Sequence, residues 1–86
     1  MYTRMQFGKK LKERVLIKQD VSEIGHWAYV MYIEHIEDIE NFDHDFRKIL
    51  LTLNGMEDGP EFAFSYERLN EIADDLIAGK DVNIGN

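Results

Sequence analysis

Phe42-Asp43-His44-Asp45-Phe46-Arg47-Lys48-Ile49-Leu50-Leu51-Thr52-Leu53-Asn54-Gly55 contains the cleanest periodicity in this chain of 86 residues. Phe42, Phe46, Ile49, Leu50 and Leu53, with Met56 beyond, recur at three- and four-residue steps. That spacing predicts a helix starting near Asp43 with one apolar face, and Asn54-Gly55 supplies the stop.

The pattern continues on both sides. Downstream, Glu57-Asp58-Gly59-Pro60-Glu61 reads as a loop, with Phe62 and Phe64 folding back onto the core beneath it. Ser65 is the expected N-cap of a last helix with Glu67 in its first turn. Leu69, Ile72, Ala73, Leu76 and Ile77 form its buried face, Gly79 its left-handed terminus, and Lys80 to Asn86 a tail.

Upstream, Asp20-Val21-Ser22-Glu23 has the spacing of a capping box with aspartate as the cap. Ile24, Trp27, Ala28, Met31, His35 and Ile39 then form one stripe, widened by Tyr32 and Ile36, which predicts a central helix. Tyr29 falls outside the stripe and is a candidate surface contact. The first segment, about Thr3 to Lys18, is a weaker helix with a stripe of Met5, Leu11, Val15 and Leu16. Gly8 should weaken it by roughly 1 kcal/mol relative to alanine. The expected fold is all-α, a compact three- to four-helix bundle forming a single domain over 1–86.

Charge divides this chain unevenly. Arg4, Lys9, Lys10, Lys12, Arg14 and Lys18 against Glu13 give residues 1–19 a net +5. Arg47, Lys48, Arg68 and Lys80 against sixteen carboxylates give residues 20–86 a net −12, and the whole is −7. Fields of this size select association partners and rates. An acidic body repels nucleic acid and attracts basic proteins. The basic segment is expected to lie along the acidic helices of the same molecule; the alternative is that Arg4, Lys9, Lys10, Lys12 and Arg14 serve a small nucleic-acid-binding regulator.

Other chemistry is thinly represented. With no cysteine, disulfides, thiolate nucleophiles and Cys-based zinc sites are excluded. His26, His35 and His44 are nine apart and would face alternate sides of a continuous helix. His35 with Asp38 has a metal-compatible spacing but lacks further ligands. Aligning Gly59 with the glycine of a calcium loop leaves Met56 and Ser65 at ligand positions, so that site fails. Ser22, Ser65, Thr3 and Thr52 lie in no nucleophile motif. No enzyme activity, metal or cofactor is expected. The longest apolar run, Trp27 to Ile33, is too short to span a membrane, and no secretory signal is present, so a cytoplasmic location is expected.

The run Asp58-Gly59-Pro60-Glu61-Phe62-Ala63-Phe64-Ser65-Tyr66-Glu67-Arg68-Leu69 resembles the loop and last helix of small bacteriocin immunity proteins of the colicin D immunity type. The run Asp20 to Tyr32 is similar in kind to the aromatic-rich helix of that family, and the resemblance covers about residues 20–78. It implies a four-helix immunity protein that covers the basic active site of a cognate RNA-cleaving toxin, acids standing in for RNA phosphates. The basic first segment departs from that pattern. The acidic clusters around residues 34–45 then become the candidate docking surface: Glu34, Glu37, Asp38, Asp43 and Asp45, with Tyr29 as an aromatic anchor. The expected partner is a basic nuclease domain, with no nucleic acid or membrane bound and the free chain a monomer or weak dimer.

Overall fold

A computed structural model describes residues 1–84. Thr3 starts the first helix with a capping box that the sequence reading missed. Its hydroxyl accepts from the Gln6 backbone N–H, while the Gln6 side chain accepts from the Thr3 N–H at 2.8 Å. Helix α1 then runs Arg4–Leu16. Its buried face is Phe7, Gly8, Leu11 and Val15, whereas Met5 and Leu16 are exposed, which corrects the expected stripe. Lys18 follows in the left-handed region at φ 52°. The Tyr66 hydroxyl holds this turn, lying 3.1 Å from the Lys18 carbonyl and 2.8 Å from that of Gln19.

Helix α2 spans Val21–Glu34, capped by Asp20, which accepts from the Ser22 N–H at 2.8 Å. Ile24, Gly25, Ala28 and Tyr32 are buried, and Trp27 and Met31 are half-buried on the shoulder of that face. The expected continuation through Ile39 is broken at His35 (φ −118°, ψ 26°), and a short α3, Ile36–Phe42, follows. This turn brings Ile39 onto the core, where it is buried. Asp43 (φ −152°, ψ 67°) makes the second turn into α4, His44–Asn54.

The face of α4 is Phe46, Ile49, Leu50 and Leu53, as its periodicity predicts; Phe42 lies outside it and is 70% exposed. Two 3₁₀ turns, Gly55–Glu57 and Pro60–Phe62, occupy the loop. Met56 and Phe64 turn inward from it, but Phe62 stays exposed, against expectation. Ser65 caps α5, Tyr66–Ala78, accepting from the Arg68 N–H, and Gly79 ends it at φ 73°, both as expected. The tail is not free of the body: Val82 and Ile84 pack on the core, and the Arg68 guanidinium donates to the Asn83 carbonyl. Gly85 and Asn86 lie outside the described residues.

Among the described residues the architecture is all-α, with no strand and with five helices rather than three or four. Helix α1 packs on α5 and α2 on α4, and α3 closes one end. The buried residues of all five helices join in one core.

Two glycines permit these pairings. A Cβ on Gly8 would lie 2.9 Å from the Leu76 Cβ and 3.0 Å from the Ala73 carbonyl oxygen. One on Gly25 would lie 2.7 Å from the Leu53 carbonyl oxygen. The effect expected of Gly8 is therefore reversed: alanine gains about 1 kcal/mol of helix propensity but forces two backbones apart, at about 1–3 kcal/mol. Gly8→Ala should lower the melting temperature by several degrees, about 4–8 °C per kcal/mol lost for a chain this size. Lys18→Gly should raise stability by about 0.5 kcal/mol, because it relieves the left-handed strain at the α1–α2 turn. Urea unfolding monitored by circular dichroism checks both signs.

Candidate protein-binding surface

The acids of the α2–α3–α4 corner have local reasons to be where they are. Glu37 and Asp38 sit in the first turn of α3 and Asp45 in that of α4, where the positive end of the helix dipole favours carboxylates. Glu34 ends α2. Glu34, His35, Ile36, Glu37 and Asp38 line a shallow recess of about 280 Å³ at the corner. Glu34, Glu37 and Asp45 are exposed.

Asp38 and Asp43 already have partners inside the molecule. Asp38 Oδ2 accepts from the Tyr2 backbone N–H at 2.8 Å. Asp43 takes a two-pronged contact from Arg4, Nε to Oδ2 at 2.6 Å and Nη2 to Oδ1 at 2.8 Å. The guanidinium's hydrogen bond, then its charge, holds the Asp43 carboxyl below its ordinary pKa and raises that of Arg4. Asp45 lies beside this pair, on a recess with Arg4, Lys48 and Asp81 rather than with Glu34.

Tyr29 does not join the acids. It lies five positions from Glu34, which on a helix is about 140° around the axis. It is exposed by 41%, with Ile33, the next turn along, exposed by 46%. The six expected site residues thus divide into an open pair (Glu34 and Glu37), two residues holding α1 (Asp38 and Asp43), Asp45 near Arg4, and Tyr29 on another side.

Glu40, between these acids on α3, is a junction. Its carboxylate accepts from the Tyr32 hydroxyl at 2.6 Å, lies 3.1 Å from His44 Nδ1 and 3.8 Å from Arg47 Nε. The Tyr32 hydrogen bond holds Glu40 below its ordinary pKa and raises that of the phenol. Its spacing four before His44 was the available signal. His35, weighed above as a metal ligand with Asp38, has its ring stacked on Tyr2 at 3.9 Å. Among the described residues no three His, Asp or Glu side chains converge on a metal-sized site.

The basic segment is partly used inside the molecule. Besides Arg4, Lys12 pairs with Asp74 of α5, and the Arg14 guanidinium lies 4.2 Å above the Trp27 ring and donates to Gln19. Lys9, Lys10 and Lys18 are exposed. No described helix is long and apolar enough to cross a membrane. Comparisons with protein-family models, curated proteins and solved structures find no match to this chain.

Two pH dependences follow from the N-terminal anchorage. Asp43 is held ionised by Arg4, so its contribution is complete above the ordinary aspartate value of 3.8 and is lost as pH falls through its lower folded value. Asp43→Asn should remove that part of the acid limb, and an Arg4/Asp43 double-mutant cycle should give a coupling of about 1 kcal/mol. Burial, reinforced by Glu34, pushes the Tyr2 phenol up to about 12. A group kept neutral by the fold stabilises below its ordinary pKa of 10.0. Stability should therefore decline as pH rises from about 10 to 12, and Tyr2→Phe should lessen that decline, leaving the part that Tyr32 contributes; chemical unfolding across pH reads both.

Proposed function

We propose that the chain is a non-catalytic inhibitor that docks an acidic face onto a basic nuclease, covering the active site in the manner of bacteriocin immunity proteins. The observation that supports this reading over nucleic-acid binding is the use of the N-terminal cations. Arg4 is bound by Asp43, Lys12 by Asp74, and Arg14 is laid over Trp27, so three of the five residues a phosphate-binding array would need are engaged. The open carboxylates Glu34 and Glu37, with Asp45 further along, keep their charge toward solvent.

Carboxylates facing solvent steer a basic partner electrostatically and can occupy the positions of RNA phosphates in its cleft. Ile36, 39% exposed between Glu34 and Glu37, adds an apolar contact that an RNA strand does not offer. The inhibitor acts as a monomer or weak dimer in the cytoplasm, where the nuclease would find its substrate.

The test is protection of cells expressing a nuclease domain encoded beside this chain. Wild-type protein should protect, and association should slow about tenfold between low and high salt. Glu34→Lys with Glu37→Lys should leave the circular dichroism spectrum unchanged and weaken protection. Full protection by that folded double variant would remove this corner from the interface. Retention of RNA or DNA by the wild-type chain in a low-salt gel shift would favour the nucleic-acid reading instead.

A further inference from the structure

The exposed flank of α1 faces α2 across a groove that the acidic-face reading does not use. Helix α1 packs chiefly on α5 and α2 on α4, and between α1 and α2 the Phe7 and Trp27 rings stack. Two adjoining recesses, of about 510 and 470 Å³, share Lys10, Glu13 and Arg14 and run from Tyr2 to Ile17. Trp27 and Met31 of α2 form the floor of the first, and Lys9 and Lys10 stand on its rim.

The groove is apolar at its base and cationic at its wall. Trp27 is fixed by Phe7, whose ring is stacked 4.5 Å away at 8°, and by Arg14 at 4.2 Å, so its remaining edge is presented without freedom to collapse. Ile17 at the far end is 76% exposed. Lys9, Lys10 and Arg14 outnumber the one carboxylate of the wall, Glu13, in a chain of net charge −7. Lys10 meets Glu13 only at 3.8 Å, with both side chains largely in solvent.

We infer that this groove receives an amphipathic helix of a partner protein, with apolar residues on one face and Asp or Glu along its edges. Length supports a helix: α1 has 13 residues, about 20 Å, and a segment of similar length lying along it would span the groove. Charge supports acidic edges, since the exposed Lys9 and Lys10 would oppose them. A long polyanion fits less well, because beyond the groove it would run over the carboxylates of Glu23 and Glu34, both exposed. The inference does not depend on the acidic face: either surface can be lost without the other.

Trp27 is the single tryptophan and lines the groove, so its fluorescence reports occupancy directly. The probe is a synthetic 14-residue helical peptide (length set at about four turns) with Leu at i, i+3, i+4 and i+7 spacing and Glu flanking, without Trp. Its control replaces every Glu with Lys. The Glu peptide should give a saturable fluorescence change at micromolar concentration, and Lys9→Glu with Lys10→Glu should weaken it at least tenfold. Both lysines are exposed, so that variant should fold, as circular dichroism checks. Tyr29→Ala, on another side of α2, should leave binding unchanged. No saturable change up to millimolar peptide, equal binding of the Lys peptide, or unchanged affinity in the folded lysine variant would overturn the inference. A stronger response to a single-stranded RNA oligonucleotide would also overturn it, as would a protein-concentration-dependent change that the lysine variant abolishes, which marks a second copy of this chain as the occupant.

Discussion

The Phe7 ring joins the two halves of this molecule. It is fully buried, stacks on Trp27 of α2 at 4.5 Å and meets Phe46 of α4 edge-on at 5.7 Å. Helix α1 belongs to the α1–α5 pair and the other two rings to the α2–α4 pair. These aromatic contacts tie one pair to the other. Losing such a ring from a core typically costs about 3–5 kcal/mol, a large part of the about 5–15 kcal/mol that holds a domain together. Tyr2 extends the cluster, stacking on His35 and, at 6.2 Å, on Phe46. The bend between α2 and α3 is thereby held by the chain's own beginning.

Much of this was legible in the sequence, and what was not has physical causes. The faces of α4 and α5 were read almost residue for residue, as was the Ser65 cap and the Gly79 terminus, because each helix has one buried face and polar residues around it. Helix α1 was misread because Met5 and Leu16 are apolar but sit opposite the core. Phe7, Leu11 and Val15, four apart, were the better stripe, and Gly8 beside them marked a close approach rather than a weak helix. The break at His35 is invisible to periodicity. An uninterrupted helix would also have placed Ile39 on the stripe.

The candidate site was legible in composition but not in geometry. Counting carboxylates could not separate Glu34 and Glu37, which face solvent, from Asp38 and Asp43, which hold Tyr2 and Arg4. The ionic pairing of a basic first segment with an acidic body was the expectation, and Arg4–Asp43 and Lys12–Asp74 meet it. It is incomplete, however. Arg14 finds an indole rather than a carboxylate, and Lys9 and Lys10 find only solvent and Glu13. A side chain's partner depends on which flank of the helix it occupies: the flank toward α5 meets Asp74, and the flank toward α2 meets Trp27.

That division of α1 ties the two candidate surfaces to one another. Tyr2 lines the groove by its ring and grips α3 by its backbone, and its phenol feels both Arg14 of the groove and Glu34 of the acidic corner. A segment seated at the Tyr2 end would therefore touch the ring that packs on His35, where α2 gives way to α3. The acidic corner is built on that same turn, with Glu34 before it and Glu37 after it. The turn at His35, with the Tyr2 ring stacked against it, borders both regions. The candidate acidic corner and the candidate groove thus both border the N-terminal segment, whose Arg4 and Lys12 pair with carboxylates while Lys9 and Lys10 stay exposed.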